Sequence, residues 1–219
     1  MNIKENNLIL SLDVSTSTIG IALLTENREL LKVSHLRLKV PKKTDSTEGL
    51  FLKKKLFEEE LYKNYTDKIS KIGVIKHVII EEPLLSSNNV NTVGVLLRFN
   101  GMISDCVYNI LNVVPLYISS YDSRKYAFPE LMAVRKKDKN GNPYTKNKID
   151  KGTPVLFGDY AFDIDKKQVI WDKVNELFPE IEWIYDKNNK LIKENFDASD
   201  AVCVGLAFIN KINVNKLDS

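Results

Sequence analysis

Apolar residues along this chain fall into two patterns, short unbroken runs and longer stretches in which they recur every three or four positions. The first run, residues 8–12 (Leu-Ile-Leu-Ser-Leu), has no polar face and ends on Asp13. Small hydroxyl residues follow, and a second run spans 19–24. This predicts a buried strand, a tight turn and an antiparallel return, with a carboxylate at the tip of the first strand. Residues 30–38 alternate imperfectly as a third strand after the polar turn Glu26-Asn-Arg28. Residues 76–80 form a short β-branched strand closed by Glu81-Glu82-Pro83, and residues 113–119 form a fifth.

Helical spacing appears in five places. Residues 47–72 carry Leu52, Leu56, Phe57, Leu61, Tyr65 and Ile69 on one face, with Gly73 as the stop signal. Residues 92–111 are mostly apolar, 121–131 are interrupted by Pro129, and 166–178 follow Asp165 as a cap. The last helix spans 197–211, and 180–192 suggest a hairpin around Asn188-Asn189. The order predicts an α/β fold: a five-stranded mixed sheet, three antiparallel meander strands then two parallel, flanked by helices.

With 219 residues, 43% of them hydrophobic, the chain can bury one sizeable core, so we expect a single domain over 1–219 carrying an insertion at about 132–163. A net charge of +3 does not by itself argue for nucleic acid. Its distribution does: between Arg135 and Lys151 there are seven basic residues, Lys136 and Lys137 among them, against two acids. Apolar periodicity is sparse there, as in a functional or flexible loop. Cys106 and Cys203 lack metal-ligand spacing and read as core residues of a reduced compartment. No run is long enough for a spanning helix or a signal sequence, which points to a soluble, intracellular (cytoplasmic) protein without membrane contact.

Four acids stand out. Taken singly, Asp13 suits a turn, and Asp197 and Asp200 suit the cap and first turn of a helix. Taken together they form a pattern. One acid ends the first strand, Glu81 ends the fourth, and Asp197 and Asp200 share a helix face at i,i+3. Converging carboxylates with no basic neighbour in sequence repel unless a cation sits among them, and hard divalent ions prefer such oxygens.

These residues resemble a family. The hairpin around Asp13, the strand ending Ile-Ile-Glu81 and the helix start Asp197-Ala-Ser-Asp200-Ala are similar to the RuvC-like Holliday-junction resolvases of the RNase H-like fold. That resemblance implies that Asp13, Glu81, Asp197 and Asp200 bind two Mg²⁺ ions, with Mn²⁺ able to substitute. It further implies a homodimer that nicks four-way branched DNA symmetrically, leaving 5′-phosphate and 3′-hydroxyl ends. Arg124, Lys125, Lys166 and Lys167 match the family's DNA-contacting stretches, and the basic insertion adds Lys136 and Lys137. The sequence departs from the pattern in carrying Pro83-Leu84-Leu85 after the glutamate, where the family often has an aromatic. It also has the long insertion where the family has a glycine-rich loop. Three other readings compete. Asp13-Val-Ser-Thr-Ser17 also resembles the first phosphate loop of actin-like phosphotransferases, but a chain with nine glycines offers no second glycine-rich loop. A junction-binding protein without catalysis is disfavoured because no acid is missing. A nuclease for other branched DNA or RNA–DNA hybrids stays open, since fold does not fix substrate.

Overall fold

A computed structural model describes residues 6–66, 69, 71–83, 89–135 and 153–217, the last five in backbone only. Strands β1 (Asn6–Val14), β2 (Thr18–Thr25), β3 (Leu30–Arg37), β4 (Gly73–Glu81) and β5 (Leu116–Ile118) form one sheet in the order β3-β2-β1-β4-β5. The first three pair antiparallel, whereas β1 with β4 and β4 with β5 run parallel. This is the mixed sheet expected from the sequence.

Side chains alternate across a strand, so the unbroken apolar runs feed two cores at once. Leu8, Leu10, Leu12, Val78 and Ile80 face α1 (Ser46–Leu61) and α2 (Val90–Leu111), packing with Phe57, Phe99 and Ile103. Ile9, Ala22, Leu24 and Ile79 face the other way, toward α3 (Ser120–Ala127), α4 (Lys166–Leu177) and α5 (Glu194–Leu217). Each fully buried Leu, Ile or Phe in these layers contributes about 1.5–3 kcal/mol.

Several expected boundaries move. The first helix ends at Leu61 and passes into a π-helical turn, Tyr62–Thr66, which buries Tyr65 with its hydroxyl 3.2 Å from Ser34 Oγ. Gly73 is the first residue of β4 and not a helix stop, because a Cβ there would lie 2.2 Å from the Asn6 carbonyl oxygen. Strand β5 shrinks to three residues because Pro115 lacks the N–H that a longer ladder needs. The hairpin at 180–192 reduces to one bridge, Tyr185 with Leu191, around a turn in which Asp186 Oδ1 accepts from Asn188 N and Lys190 N.

The insertion is fastened at both ends, contrary to the sparse-apolar expectation. Strands β6 (Met132–Val134) and β7 (Pro154–Leu156) pair, and Phe157 is buried against the second core. Residues 136–152, including Lys136, Lys137 and Lys139, lie outside the described residues. No described helix is long and apolar enough to cross a membrane.

Helix α4 begins as expected: Asp165 Oδ1 accepts from the backbone N–H of Lys167 at 3.0 Å and of Gln168 at 3.2 Å. Asp165→Ala is therefore expected to lower stability by about 1 kcal/mol in a urea titration. Helix α5 starts three residues early, at Glu194, so Asp197 lies in its first turn and is not the cap. That turn is held by Arg37 Nε to Glu194 Oε1 at 2.9 Å and by Asn195 Nδ2 donating to the Ile184 carbonyl at 2.6 Å.

Candidate active site

Strand parity brings the acids together. Leu12 pairs with Ile80 in the parallel β1–β4 ladder, so the next residues, Asp13 and Glu81, emerge side by side at the carboxyl ends of the two strands. Both share the parity of Ile9 and Ile79, the face covered by α5. Asp13 is also paired across the hairpin with Gly20. A Cβ on Gly20 would lie 1.9 Å from the Asp197 carbonyl oxygen, so the bare Cα is what lets the first turn of α5 reach the sheet. Ser11 Oγ donates to the Ala201 carbonyl at 2.7 Å and ties the same helix to β1 one turn further on. Thus Asp13 and Glu81 meet the pair Asp197 and Asp200 at the carboxyl ends of two interior strands.

Their electrostatics follow from burial. Loss of solvent pushes the Asp13 carboxyl well above the carboxylate range, and Glu81, Asp200 and Asp197 push it further. Burial, then the Asp200 charge, raises Glu81 to about 7, with Arg124 and Lys167 opposing. Burial raises Asp200 as well, and Lys167 and Arg124 counter it. Cys203 lies behind these acids, its thiol raised first by burial and then by Asp200 and Glu81.

Two cations reach the cluster from elements distant in sequence, so neither is a basic neighbour of the acids along the chain. Lys167 Nζ lies 2.8 Å from Asp197 Oδ1 and 3.5 Å from Asp200 Oδ2. Burial disfavours its charge, but the bond to Asp197 and the charges of Asp200, Asp197 and Asp13 outweigh this and hold it protonated. Arg124 Nη2 is 4.0 Å from Asp200 Oδ1, and its buried Nε has no hydrogen-bond partner among the described residues. Two further basic residues of these helices stand on aromatic rings, Lys125 over Tyr126 at 5.2 Å and Lys166 over Phe157 at 5.8 Å. The sequence reading missed Gly20, although a lone glycine opposite Asp13 in a hairpin is a recognisable sign of close backbone approach. It also missed His35, half-buried near Glu194, Arg37 and Asp197 and lowered by burial.

Among the described residues no three His, Cys, Asp or Glu groups stand close enough to hold one ion as they are, and Lys167 lies against two of the oxygens an ion would use. The donor set nevertheless fits a hard divalent cation: all four groups are carboxylates, and the buried Glu81 Oε2 has no hydrogen-bond partner among the described residues. An orphaned buried carboxylate oxygen is costly unless something positive completes it. A cavity of about 510 Å³ lined by Arg28, Phe128, Glu130 and Lys173 is bordered by none of the four acids.

A pH dependence follows. A carboxyl raised in the folded state stabilises the fold below its ordinary value and loses that contribution as pH rises through the folded value, here from about 4.5 to about 7 for Glu81. In EDTA the protein is expected to melt higher near pH 5 than near pH 8, with a contribution on the order of a few kcal/mol from this group. The difference should shrink in Glu81→Gln, as scanning calorimetry would show.

The topology, a three-stranded antiparallel meander continued by two parallel strands with helices on both faces, is the RNase H-like fold. It is shared by solved structures, of which two are the following. That described as T. thermophilus RuvC in complex with Holliday junction substrate aligns with a TM-score of 0.57 and 8% identity over 95% of this chain and 96% of that one. The Thermus thermophilus RuvC structure aligns with a TM-score of 0.52 and 11% identity over the same shares. No protein-family model and no curated protein matches the sequence.

Proposed function

We propose that this chain is a divalent-metal-dependent endonuclease that resolves four-way DNA junctions by paired symmetric nicks, leaving 5′-phosphate and 3′-hydroxyl ends. The observation that carries the reading is the meeting of four carboxylates from α5 and the carboxyl ends of β1 and β4, with Glu81 Oε2 unsatisfied among the described residues. The likeness to a RuvC structure described with a Holliday junction substrate supports the choice of substrate. Asp13, Glu81, Asp197 and Asp200 would hold Mg²⁺, or Mn²⁺ in its place. Two such ions would supply an activated water and stabilisation of the leaving 3′-oxygen.

The chain's own residues do the rest. Asp13, which feels the charge of each of the other three acids, would help to hold the metal, and its partly desolvated setting keeps those charge interactions strong. Arg124, Lys125, Lys166 and Lys167, with Lys136 and Lys137 of the insertion, hold backbone phosphates, giving affinity and salt dependence without reading bases. Paired nicks need two sites, so we read the protein as a two-fold dimer. Helix α2 suits that role, since Val90, Leu97 and Tyr108 leave much apolar surface exposed on it. We take residues 1–219 as one domain serving this site.

Incubation with a synthetic four-way junction, a linear duplex and an RNA–DNA hybrid in Mg²⁺ tests the reading. The wild type should nick the junction by preference, and Asp13→Asn should bind it without cutting. Equal cutting of all three substrates contradicts junction selectivity, and no cutting of any contradicts the nuclease itself.

A further inference from the structure

We propose that Lys167 and a divalent ion exchange on the same two carboxylates, so that this lysine holds Asp197 and Asp200 together before metal enters and sets how tightly metal is taken up. The inference rests on the reading that the four acids hold metal. Its basis is the contact itself. Lys167 Nζ lies 2.8 Å from Asp197 Oδ1 and 3.5 Å from Asp200 Oδ2, closer than Arg124, whose nearest approach to Asp200 is 4.0 Å. The two acids are largely hidden, with side chains 19% and 6% exposed, whereas Lys167 is 48% exposed. The acids are the hidden partners and the lysine is the exposed one. Its backbone N–H is pinned to Asp165 at the start of α4, but four flexible methylenes let the ammonium leave toward solvent.

An ammonium and a hard cation cannot share these oxygens. An ion ligated at about 2 Å would stand within a few ångströms of Nζ, where like charges repel strongly in a partly desolvated site. Lysine can only donate, so it offers the ion nothing in return. The lysine also leaves the buried Glu81 Oε2 without a hydrogen-bond partner among the described residues, so the pair with Lys167 does not satisfy the cluster as a cation among all the acids would. Lys167 is in this sense a positioning residue: it neutralises the acids, preserves their geometry without metal, and yields when metal arrives.

The sign of the effect separates this role from a merely structural one. Lys167→Met should bind Mg²⁺ about tenfold more tightly by titration calorimetry, a modest figure because the lysine is half exposed. Its metal-free form should melt at a lower temperature than the wild type. Lys167→Arg, which keeps the charge, should stay near wild type. A lysine that only supports the fold predicts weaker uptake in Lys167→Met instead, and that result overturns the exchange.

Lysine acylation of the wild type, followed by peptide mass spectrometry, tests the departure directly and needs no variant. Lys167 should label slowly in EDTA and several-fold faster in Mg²⁺, with Lys173, bonded to Glu130 at 2.8 Å, unchanged as the control. Mg²⁺ uptake with unaltered Lys167 labelling overturns the exchange and leaves the metal reading standing. Absence of any Mg²⁺ uptake overturns both.

Discussion

Asp13→Asn is expected to raise the melting temperature of the metal-free protein while cutting DNA cleavage by on the order of 10³-fold. The two effects have one origin. Asp13 is partly buried, and its carboxyl is pushed up first by loss of solvent and then by Glu81, Asp200 and Asp197, with Lys167 favouring its charge. Near neutral pH that arrangement opposes folding, and a neutral amide of the same shape removes both the desolvation and the repulsion. Each kcal/mol recovered should raise the midpoint by about 2–4 °C for a chain of this size. Added Mg²⁺ should reverse the order, stabilising the wild type by mass action and leaving the variant almost unmoved. Differential scanning with and without Mg²⁺ checks the crossing. A variant less stable than wild type in EDTA would mean that Asp13 is satisfied by the fold and does not await a cation.

Gly20→Ala should have the largest effect on stability, about 3 kcal/mol or more, because the added methyl would sit 1.9 Å from a backbone oxygen and 2.4 Å from its carbon. Neither atom belongs to a flexible side chain, so relief requires α5 to lift from the sheet. That motion would carry Asp197 and Asp200 away from Asp13, since Gly20 is the cross-strand partner of Asp13. Urea unfolding should therefore shift to a lower midpoint, and whatever folded protein remains should take up Mg²⁺ weakly. Gly94→Ala is the control: nothing lies within 4 Å of its added methyl in α2, so it should be neutral or slightly stabilising. Equal stability of Gly20→Ala and wild type would refute the close approach of α5.

The strands were legible because a sheet covered on both faces demands unbroken apolar runs, and those at 8–12, 19–24 and 76–80 lie within β1, β2 and β4. Each of the runs at 8–12 and 76–80 ends on an acid, so Asp13 and Glu81 could be placed at strand ends, whereas their emergence side by side depends on the register of β1 against β4. Boundaries that depend on tertiary contact were not legible. The start of α5 has no Ser, Thr or Asp cap in sequence and is set by Arg37 and Asn195 reaching other elements. The π-helical turn after α1 serves Tyr65, whose partner Ser34 is 31 positions away. The β6–β7 pair joins three-residue strands separated by nineteen residues, too short and too distant for any local pattern to announce. Lys167 was visible as a basic residue near a helix start, but its bond to Asp197 exists only because α4 packs against α5.

The central claim is that these four carboxylates cut branched DNA through bound metal. The most direct test is single-turnover cleavage of an end-labelled four-way junction by the wild type, with Mg²⁺ or with EDTA. Symmetric paired nicks in Mg²⁺, with religatable 5′-phosphate ends and no product in EDTA, are the predicted result. Cleavage that proceeds undiminished in EDTA would contradict it.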